Sequence, residues 1–354
     1  MKIAIVSPVM GPIPPKKYGG IELIVDELAH GLAERGHVVT VFCSGESTIA
    51  GPNIIRVETS PYPTREHPDE NREWEKKQLF TVLNRQHDFD VIHLNYEPIV
   101  CRFDADGTFV NLLDSFEVPV VLTFHNTTDI SENVAYYKNT PTLHRHTMVF
   151  VSENQRRPLA FFPKTQVIYN ALPIEDFPLE TQKENYLLFL GRITSSKGLL
   201  EAIAVAKKTN IPLFIVAKVD PVDRDYYEKE IKPRIDGKLI HYLGEADFPG
   251  KVAYLKKAHC LLFPILWEEP FGLVMIEALA CGTPVIAFRR GSVPEIIKDG
   301  VNGFIVDNVD EMAGAVEKIK QISPANCRSS VIKRFSVERM VNEYEDLFKK
   351  TASK

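Results

Sequence analysis

One stretch decides the fold of this chain: WEEPFGLVMIEALACGTPVI, residues 267–286. It follows a short apolar run, residues 260–266, that is typical of a buried parallel strand. Apolar residues then recur with helical spacing from Leu273, and Gly282 is suited to end the helix. Residues 283–288 predict the next strand. The stretch therefore predicts a strand–loop–helix–strand unit of a parallel α/β sheet.

Two acidic residues lie in this unit, Glu269 in the loop and Glu277 in the helix. The amides of Gly272, Leu273 and Val274 lie at the positive end of the helix and can hold an anion. Because helical side chains lean towards the N-terminus, Glu277 can accept hydrogen bonds from hydroxyls beside that anion. A nucleotide sugar carries both kinds of group. The structural alternative is that Glu269 caps the helix and Glu277 complements its dipole.

Length and composition limit the class of protein. With 354 residues the chain exceeds the usual size of one core, so two domains are expected. Apolar residues make up 44% and charged residues 25%, a soluble globular profile. The formal net charge of −5 gives no sign of nucleic-acid binding. The negative excess lies almost wholly before about residue 172, so the first half has no net attraction to anionic lipid.

The cysteines and the N-terminus indicate a cytoplasmic protein. The apolar run after Met1 ends at Ser7, too early for a signal peptide, and no apolar run reaches the length of a membrane span. The five cysteines have no metal-ligand spacing, so they are expected to be reduced thiols. They are Cys43, Cys101, Cys260, Cys281 and Cys327.

The chain opens with a strand at residues 2–6, a loop rich in Pro and Gly, and an amphipathic helix from Ile21 to Gly36. The loop lacks the G-x-G-x-x-G pattern, which disfavours a dinucleotide-dependent dehydrogenase. Gly19 and Gly20 let the backbone approach a ligand closely at the start of the helix. The alternative is that both glycines serve only the turn.

His125 directly follows a predicted strand at residues 118–124. In open α/β sheets, ligands bind outside the carboxyl ends of the strands, which places His125 well for function. A single histidine is also often structural, so both interpretations stay open. Further strands are predicted at residues 37–43, 54–57, 91–94, 148–151 and 166–169, and a helix at residues 70–86 is expected to pack through Trp74, Phe80 and Leu83.

A polar segment, residues 173–185, predicts an interdomain linker between a first domain of residues 1–172 and a second of residues 186–354. The second sheet starts at residue 186 and leads to Arg192 and Lys197. Arginine offers phosphate a planar fork and lysine a mobile charge, so this pair supplies the cations that the anion site requires. The alternative is two ordinary surface cations. One closing helix is expected over residues 329–350, and it can cross back to the first domain.

Together these motifs resemble those of the retaining GT-B glycosyltransferases of glycosyltransferase family four. The likeness covers nearly the whole chain and is strongest at residues 186–197 and 269–306, which include the pair Glu269 and Glu277. It implies two Rossmann-like, doubly wound α/β domains that face a cleft. The first domain would lie on the acceptor side, and the second would bind the nucleotide sugar.

The resemblance also implies roles for single residues. Glu269 is expected to contact sugar hydroxyls near the anomeric carbon, and Glu277 to hold the ribose. His125 is expected beside the transferred sugar. The diphosphate would be bound by Arg192, Lys197, the Gly19–Gly20 loop and the amides of Leu273 and Val274. Asp247 and Lys251 match positions near the base, more loosely than the others.

The expected reaction is retaining transfer of a hexose from a UDP- or GDP-linked sugar to a hydroxyl acceptor, without a metal or another cofactor. Charge on the leaving group would fall on Arg192, Lys197 and the helix amides. Glu269 is assigned a positioning role rather than that of a nucleophile. The expected acceptor is a soluble or peripheral glycan or small molecule. The alternatives are a sugar-nucleotide epimerase of related fold and a non-catalytic nucleotide-sugar-binding protein.

Overall fold

The computed structural model describes residues 1–16, 19–96, 101–103, 109–126, 134 and 137–353. It divides into two compact units. The first comprises residues Met1–Ala171 and Val337–Lys354, and the second Leu172–Ser336. Each unit contains a parallel sheet, so the predicted class of two doubly wound α/β domains is confirmed.

The first unit is built on a seven-stranded sheet in the order β3-β2-β1-β4-β7-β8-β9, in which every neighbouring pair is parallel. Two further strands, β5 and β6, form a separate antiparallel pair. The strands are β1 (Lys2–Val6), β2 (Val38–Ser44), β3 (Ile54–Ser60), β4 (Val91–Leu94), β5 (Cys101–Phe103), β6 (Phe109–Asn111), β7 (Val120–Phe124), β8 (Thr147–Phe150) and β9 (Thr165–Val167). Its helices that lie wholly within the described ranges include α1 (Gly20–Glu34), α2 (Asn71–Asn84) and α3 (Glu153–Arg156).

The second unit has a six-stranded parallel sheet in the order β12-β11-β10-β13-β14-β15. Its strands are β10 (Leu187–Arg192), β11 (Leu213–Lys218), β12 (Ile240–Gly244), β13 (Cys260–Phe263), β14 (Val285–Phe288) and β15 (Gly303–Val306). Its longer α-helices are α4 (Leu199–Thr209), α5 (Phe248–Lys257), α6 (Leu273–Ala280), α7 (Val293–Ile296), α8 (Val309–Lys318) and α9 (Pro324–Ile332), and a short α-helical turn at Arg224–Tyr226 leads into a π-helix at Tyr227–Ile231. The last helix of the chain, α10 (Val337–Ala352), belongs to the first unit.

The strand order places the loops after β10 and β13 at a switch point of the second sheet. The order runs from β10 towards β12 on one side and from β13 towards β15 on the other. At such a point consecutive connections diverge, which leaves a crevice at the carboxyl ends of the two strands. Arg192 ends β10, and Glu269 lies in the loop after β13. The topology therefore brings the predicted cations and acids to the same edge.

The end of the chain departs from prediction. The single helix expected over residues 329–350 is wrong, because the chain forms α9 and α10 with a break between them. In the break, the carbonyl of Phe335 accepts a hydrogen bond from the amide of Leu172, and Ser336 forms a β-bridge with Leu172. A backbone that pairs with another segment cannot continue its own helical hydrogen bonds.

Residues 173–185, expected to be a linker, lie in the second unit. Phe177 is fully buried there, and Arg328 donates hydrogen bonds to the carbonyls of Phe177 and Ile174. The segment is therefore packed against the body of the unit, since its backbone carbonyls are bound by a side chain of α9.

Helix α2 also differs from prediction, because Phe80 is 59% exposed. The helix buries Glu75, Gln78, Leu79 and Val82, and Leu83 packs against the core as predicted. Gln78 donates hydrogen bonds to the carbonyl of Phe42 and to Thr59 Oγ1, so a polar residue occupies the inner face.

The four cysteines whose side chains the structure describes are free and buried. Cys101 Sγ lies outside the described side chains. None of the helices in the described ranges has the length and apolar character to cross a membrane.

Candidate active site

Helix α6 begins with open backbone amides. Gly272, at its N-cap, has a φ of 81°, and no side chain caps the helix, so the structural alternative in which Glu269 is the cap is wrong. Leu273 and Val274 are only partly buried. As first-turn residues they have no carbonyl acceptor within the helix. Their N–H groups are therefore available to an anion, in a position favoured by the helix dipole.

Glu269 is held by two donors through one oxygen. Lys197 Nζ lies 2.5 Å from Glu269 Oε2, and Trp267 Nε1 donates to the same oxygen at 2.8 Å. Lys197 Nζ also lies 5.1 Å from the centre of the Trp267 ring. The side chains of Lys197 and Glu269 are 13% and 12% exposed, so the pair is well shielded from water. Glu269 Oε1 has no partner among the described residues.

The backbone around Glu269 is fixed by the loops on either side. The amide of Leu266 donates to Ser196 O at 2.8 Å, and that of Ser292 to Glu269 O at 3.0 Å. Gly291 lies so close to Glu269 that a Cβ on it would be 2.2 Å from Glu269 O. Glycine is required there, both for this approach and for its positive φ of 52°.

Glu277 is the second acid and is paired in the same manner. Lys251 Nζ lies 2.7 Å from Glu277 Oε1, and the two side chains are 22% and 7% exposed. The Lys251 ammonium also lies 5.1 Å from the Phe248 ring centre and 5.6 Å from that of Phe177. Glu277 Oε2 has no partner within the described part of the chain. Each predicted acid thus keeps one oxygen bound to a lysine and offers the other.

The remaining predicted residues of the second unit have structural contacts of their own. Asp247 is the N-cap of α5, and its side chain accepts a hydrogen bond from Gly250 N at 2.9 Å. Arg192 lies 3.6 Å from Asp220, which also pairs with Lys218 at 2.7 Å. Burial would raise the pKa of Asp220, but Lys218 and Arg192 together lower it below its usual value. Arg192 is 39% exposed and so remains accessible to a ligand.

Two cations lie at the opposite end of α6. Arg328 donates to Ala280 O at 2.7 Å, and Lys183 donates to Cys281 O at 3.1 Å. Burial lowers the pKa of Lys183 to about 8. Cations at a helix C-terminus compensate its negative end. The carboxyl end of α6 is therefore satisfied by protein groups, whereas its amino end is left open.

In the first unit, His125 follows β7 as predicted, and its Nε2 donates to Asn95 Oδ1 at 3.3 Å. Burial lowers the pKa of His125 to about 4. The imidazole is therefore neutral at pH 7, and Nδ1 is left as an acceptor. Asn95 follows β4, the strand beside β7 in the sheet.

Beneath His125 lies a chain of buried polar groups. His93 Nε2 contacts Thr123 Oγ1 at 2.8 Å, and Thr123 Oγ1 contacts Tyr344 Oη of α10 at 3.0 Å. The His93 ring is fully buried and lies 4.9 Å from that of Tyr344. Burial, and to a smaller extent the charge of His125, lowers the pKa of His93 to about 3.

Gly19 and Gly20 begin helix α1, as predicted, and Glu22 in its first turn is 3% exposed. Glu22 Oε1 pairs with Arg65 at 3.0 Å. A Cβ on Gly19 would lie 2.6 Å from Pro15 Cβ and 3.0 Å from Glu22 Oε2. Close packing of the turn is thus one reason for glycine at this position, and the ligand role stays a prediction.

A cavity of about 480 Å³ lies at the other edge of the first sheet, at the amino ends of β7, β8 and β9. None of the predicted site residues lines it. In the described ranges, no three His, Cys, Asp or Glu side chains are grouped so that they could hold a metal ion.

Sequence reasoning missed three partners of the predicted residues: Trp267 for Glu269, Asp220 for Arg192 and Asn95 for His125. Each of the three follows a strand at the carboxyl edge of its sheet. That position was a usable signal, since such loops carry the functional residues of open α/β sheets.

Two glycosyltransferase family models match this chain, one in each half. The model of Glycosyltransferase Family 4 matches residues 18–176, and that of Glycosyl transferases group 1 matches residues 173–333. The phosphatidyl-myo-inositol mannosyltransferase of Mycobacterium leprae is 26% identical over 335 residues, 88% of this chain and 85% of the relative.

Solved structures share the fold over the whole chain. AviGT4, a glycosyltransferase involved in avilamycin A biosynthesis, has a TM-score of 0.72 at 21% identity, over 100% of this chain and 98% of its own. HepE of Anabaena, in complex with UDP and glucose, has a TM-score of 0.76 at 17% identity, over 99% of this chain and 100% of its own. The chain therefore belongs to the GT-B glycosyltransferases, with a Glycosyltransferase Family 4 domain followed by a Glycosyl transferases group 1 domain.

Proposed function

We propose that this glycosyltransferase moves a hexose from a UDP- or GDP-linked sugar to a hydroxyl acceptor, with retention of configuration and without a metal ion or another cofactor. The observation that carries the proposal is the arrangement at the start of α6. Open amides lie next to two acids, and each acid keeps one oxygen bound to a lysine and one oxygen without a partner among the described residues.

The site suits a ligand with a diphosphate between two hydroxyl-bearing sugars. Lys197, Arg192 and the amides of Leu273 and Val274 would bind the diphosphate. The free oxygen of Glu269 would accept a hydroxyl hydrogen bond from the transferred sugar, and that of Glu277 one from the ribose. The helix amides are fixed before the ligand arrives, and together with the two cations they would stabilise negative charge that develops on the leaving diphosphate.

Two comparisons support a nucleotide-hexose donor. HepE has the same fold and was solved with UDP and glucose, and the mycobacterial relative is named as a mannosyltransferase. In the first unit, we assign His125 to the transferred sugar and the Gly19–Gly20 loop to the diphosphate. The neutral imidazole of His125 would take part as a hydrogen-bonding group rather than as a cation.

The test is incubation of the protein with UDP-glucose, UDP-galactose, UDP-N-acetylglucosamine, GDP-mannose and a panel of hydroxyl acceptors. Release of UDP or GDP with formation of a glycoside of the donor's anomeric configuration supports the proposal. Inversion at C2 without transfer would identify an epimerase instead. Parallel reactions with EDTA and with added magnesium test the metal, and an absolute magnesium requirement would contradict that part.

A further inference from the structure

Trp267 is a residue of the site that the proposed function does not use. Its indole N–H and the ammonium of Lys197 bind the same oxygen, Glu269 Oε2, at 2.8 and 2.5 Å. A carboxylate oxygen offers two lone-pair directions, so these two donors satisfy it. They orient the carboxylate, and Oε1 is the oxygen left for a ligand.

The two donors differ in how firmly they are placed. Trp267 and Glu269 belong to one loop, and the amide of Glu269 donates to Trp267 O at 3.0 Å. The backbone of this loop is also bound on both sides of Trp267. Before it, the amide of Leu266 donates to Ser196 O, and after it, the carbonyl of Glu269 accepts a hydrogen bond from Ser292 N. Lys197, in contrast, comes from the loop after β10 and carries its charge on a flexible four-carbon stem.

Lys197 also has a second task in the proposed function, because it binds the donor diphosphate. A diphosphate carries more negative charge than one carboxylate and draws the ammonium towards itself. Glu269 then loses its stronger partner at the moment when its orientation matters. The indole N–H is a donor with no acceptor function and two side-chain torsions, so it stays on Oε2.

We propose that Trp267 is a positioning residue that holds Glu269 independently of Lys197, so that Oε1 keeps its direction when Lys197 turns to the diphosphate. This inference rests on the proposed function for its consequence in turnover. The hydrogen bond itself can be tested without turnover.

The first experiment uses nuclear magnetic resonance of the indole N–H groups. The chain has two tryptophans, so the ¹⁵N-labelled protein gives two indole signals, and Trp267→Phe assigns them. Glu269→Ala should move the Trp267 signal upfield, as expected for a lost hydrogen bond. Lys197→Ala, or saturation of the wild type with UDP or GDP, should leave the signal near its wild-type position. A shift in Lys197→Ala as large as in Glu269→Ala would overturn the inference.

The second experiment measures turnover. Trp267→Phe removes the N–H and keeps a ring beside Lys197, and it should lower kcat about tenfold, typical of one hydrogen bond to a charged group. The dissociation constants for UDP and GDP should not change. In a Glu269→Ala background, which has no acceptor for the indole N–H, the same change should have no further effect, because Trp267 acts through Glu269. An equal loss in both backgrounds would indicate a structural role and contradict the inference.

Trp74→Phe is the matched control. Trp74 Nε1 also donates to a glutamate, Glu70 Oε2, at a distance of 3.2 Å, but this pair belongs to the first unit and not to the α6 site. It should leave kcat unchanged. If the wild type turned over no nucleotide sugar, the proposed function would fail, and the indole signals would still decide the inference. Normal kcat in Trp267→Phe beside an active wild type would refute the inference and leave the function standing.

Discussion

Lys251 Nζ lies 2.7 Å from Glu277 Oε1, and the two residues come from different helices of the second unit, α5 and α6. Lys197 and Glu269 form the corresponding pair from two different loops. Each acid of this site therefore has a lysine of its own, which offsets the negative charge of its carboxylate. An anionic ligand can approach, since the lysines offset the acids before it binds.

The pair of Lys251 and Glu277 should contribute to stability. Lys251→Met leaves the carboxylate of Glu277, which is 6% exposed, without its cation. We expect a loss of about 1–3 kcal/mol in the free energy of unfolding, less than for a fully buried pair because Lys251 is partly exposed. The double variant Lys251→Met/Glu277→Gln should lose less than Lys251→Met alone. Urea denaturation of the three proteins measures this, and equal losses in both variants would contradict it.

Arg192 and Lys197 should determine affinity for the nucleoside diphosphate. Arg192→Ala or Lys197→Ala removes a charge-assisted hydrogen bond worth ~1.5–3 kcal/mol, which corresponds to a loss of affinity of roughly tenfold to hundredfold. Isothermal titration with UDP and GDP measures the loss. Lys207→Ala, which removes an exposed lysine of α4, is the control and should bind as the wild type does. Wild-type affinity in both site variants would place the donor elsewhere.

His125 should affect turnover and not nucleotide affinity. His125→Ala removes a neutral imidazole that we assign to the transferred sugar, so kcat should fall by about 10²-fold, a common loss for one preorganised contact. Affinity for UDP and GDP and the melting temperature should stay near those of the wild type. His87→Ala changes an exposed histidine of the same unit and serves as the control. If binding, stability and rate fell together in His125→Ala, the residue would be structural.

His93 should make stability depend on pH. Burial lowers its pKa from 6.5 to about 3, so the unfolded chain binds a proton that the folded protein does not. Stability is then present above pH 6.5 and is lost as the pH falls towards 3. Between pH 7 and pH 5 the contribution is about 2 kcal/mol. His93→Leu, similar in volume, should flatten the difference between urea midpoints at these two pH values. An unchanged difference would mean that other groups cause it.

The fold was predictable because each central strand is a short apolar run followed by a turn. Strand β13 begins at Cys260 as predicted, although it ends at Phe263, before residue 266. The helix after Gly272 lies where predicted, and Gly282 follows the end of α6 with a positive φ of 76°. It was also predictable that the loops carrying Arg192, Lys197 and Glu269 share one edge of the second sheet. Loops at the carboxyl edge of a parallel sheet converge whatever their distance in sequence.

The ion-pair partners of the two acids were not predictable. Lys251 precedes Glu277 by 26 residues, and Lys197 precedes Glu269 by 72, so no local pattern joins the partners. The break between α9 and α10 escaped prediction for a similar reason. Phe335 fits the helical period as an apolar residue, but its carbonyl pairs with Leu172, far away in sequence. Periodicity reports which face is buried and not which distant backbone takes the hydrogen bonds.

The position of α10 has a consequence for the order in which the protein matures during synthesis. The helix belongs to the first unit, where Tyr344 and Phe348 lie against His93, yet it is synthesised after the whole of the second unit. The second unit is one continuous segment and is complete once Ser336 has emerged. We therefore expect the second domain to be able to reach its final structure before the first. Until α10 has emerged, we expect the nascent first domain to expose the apolar surface of β4 and β7 that this helix covers in the folded protein.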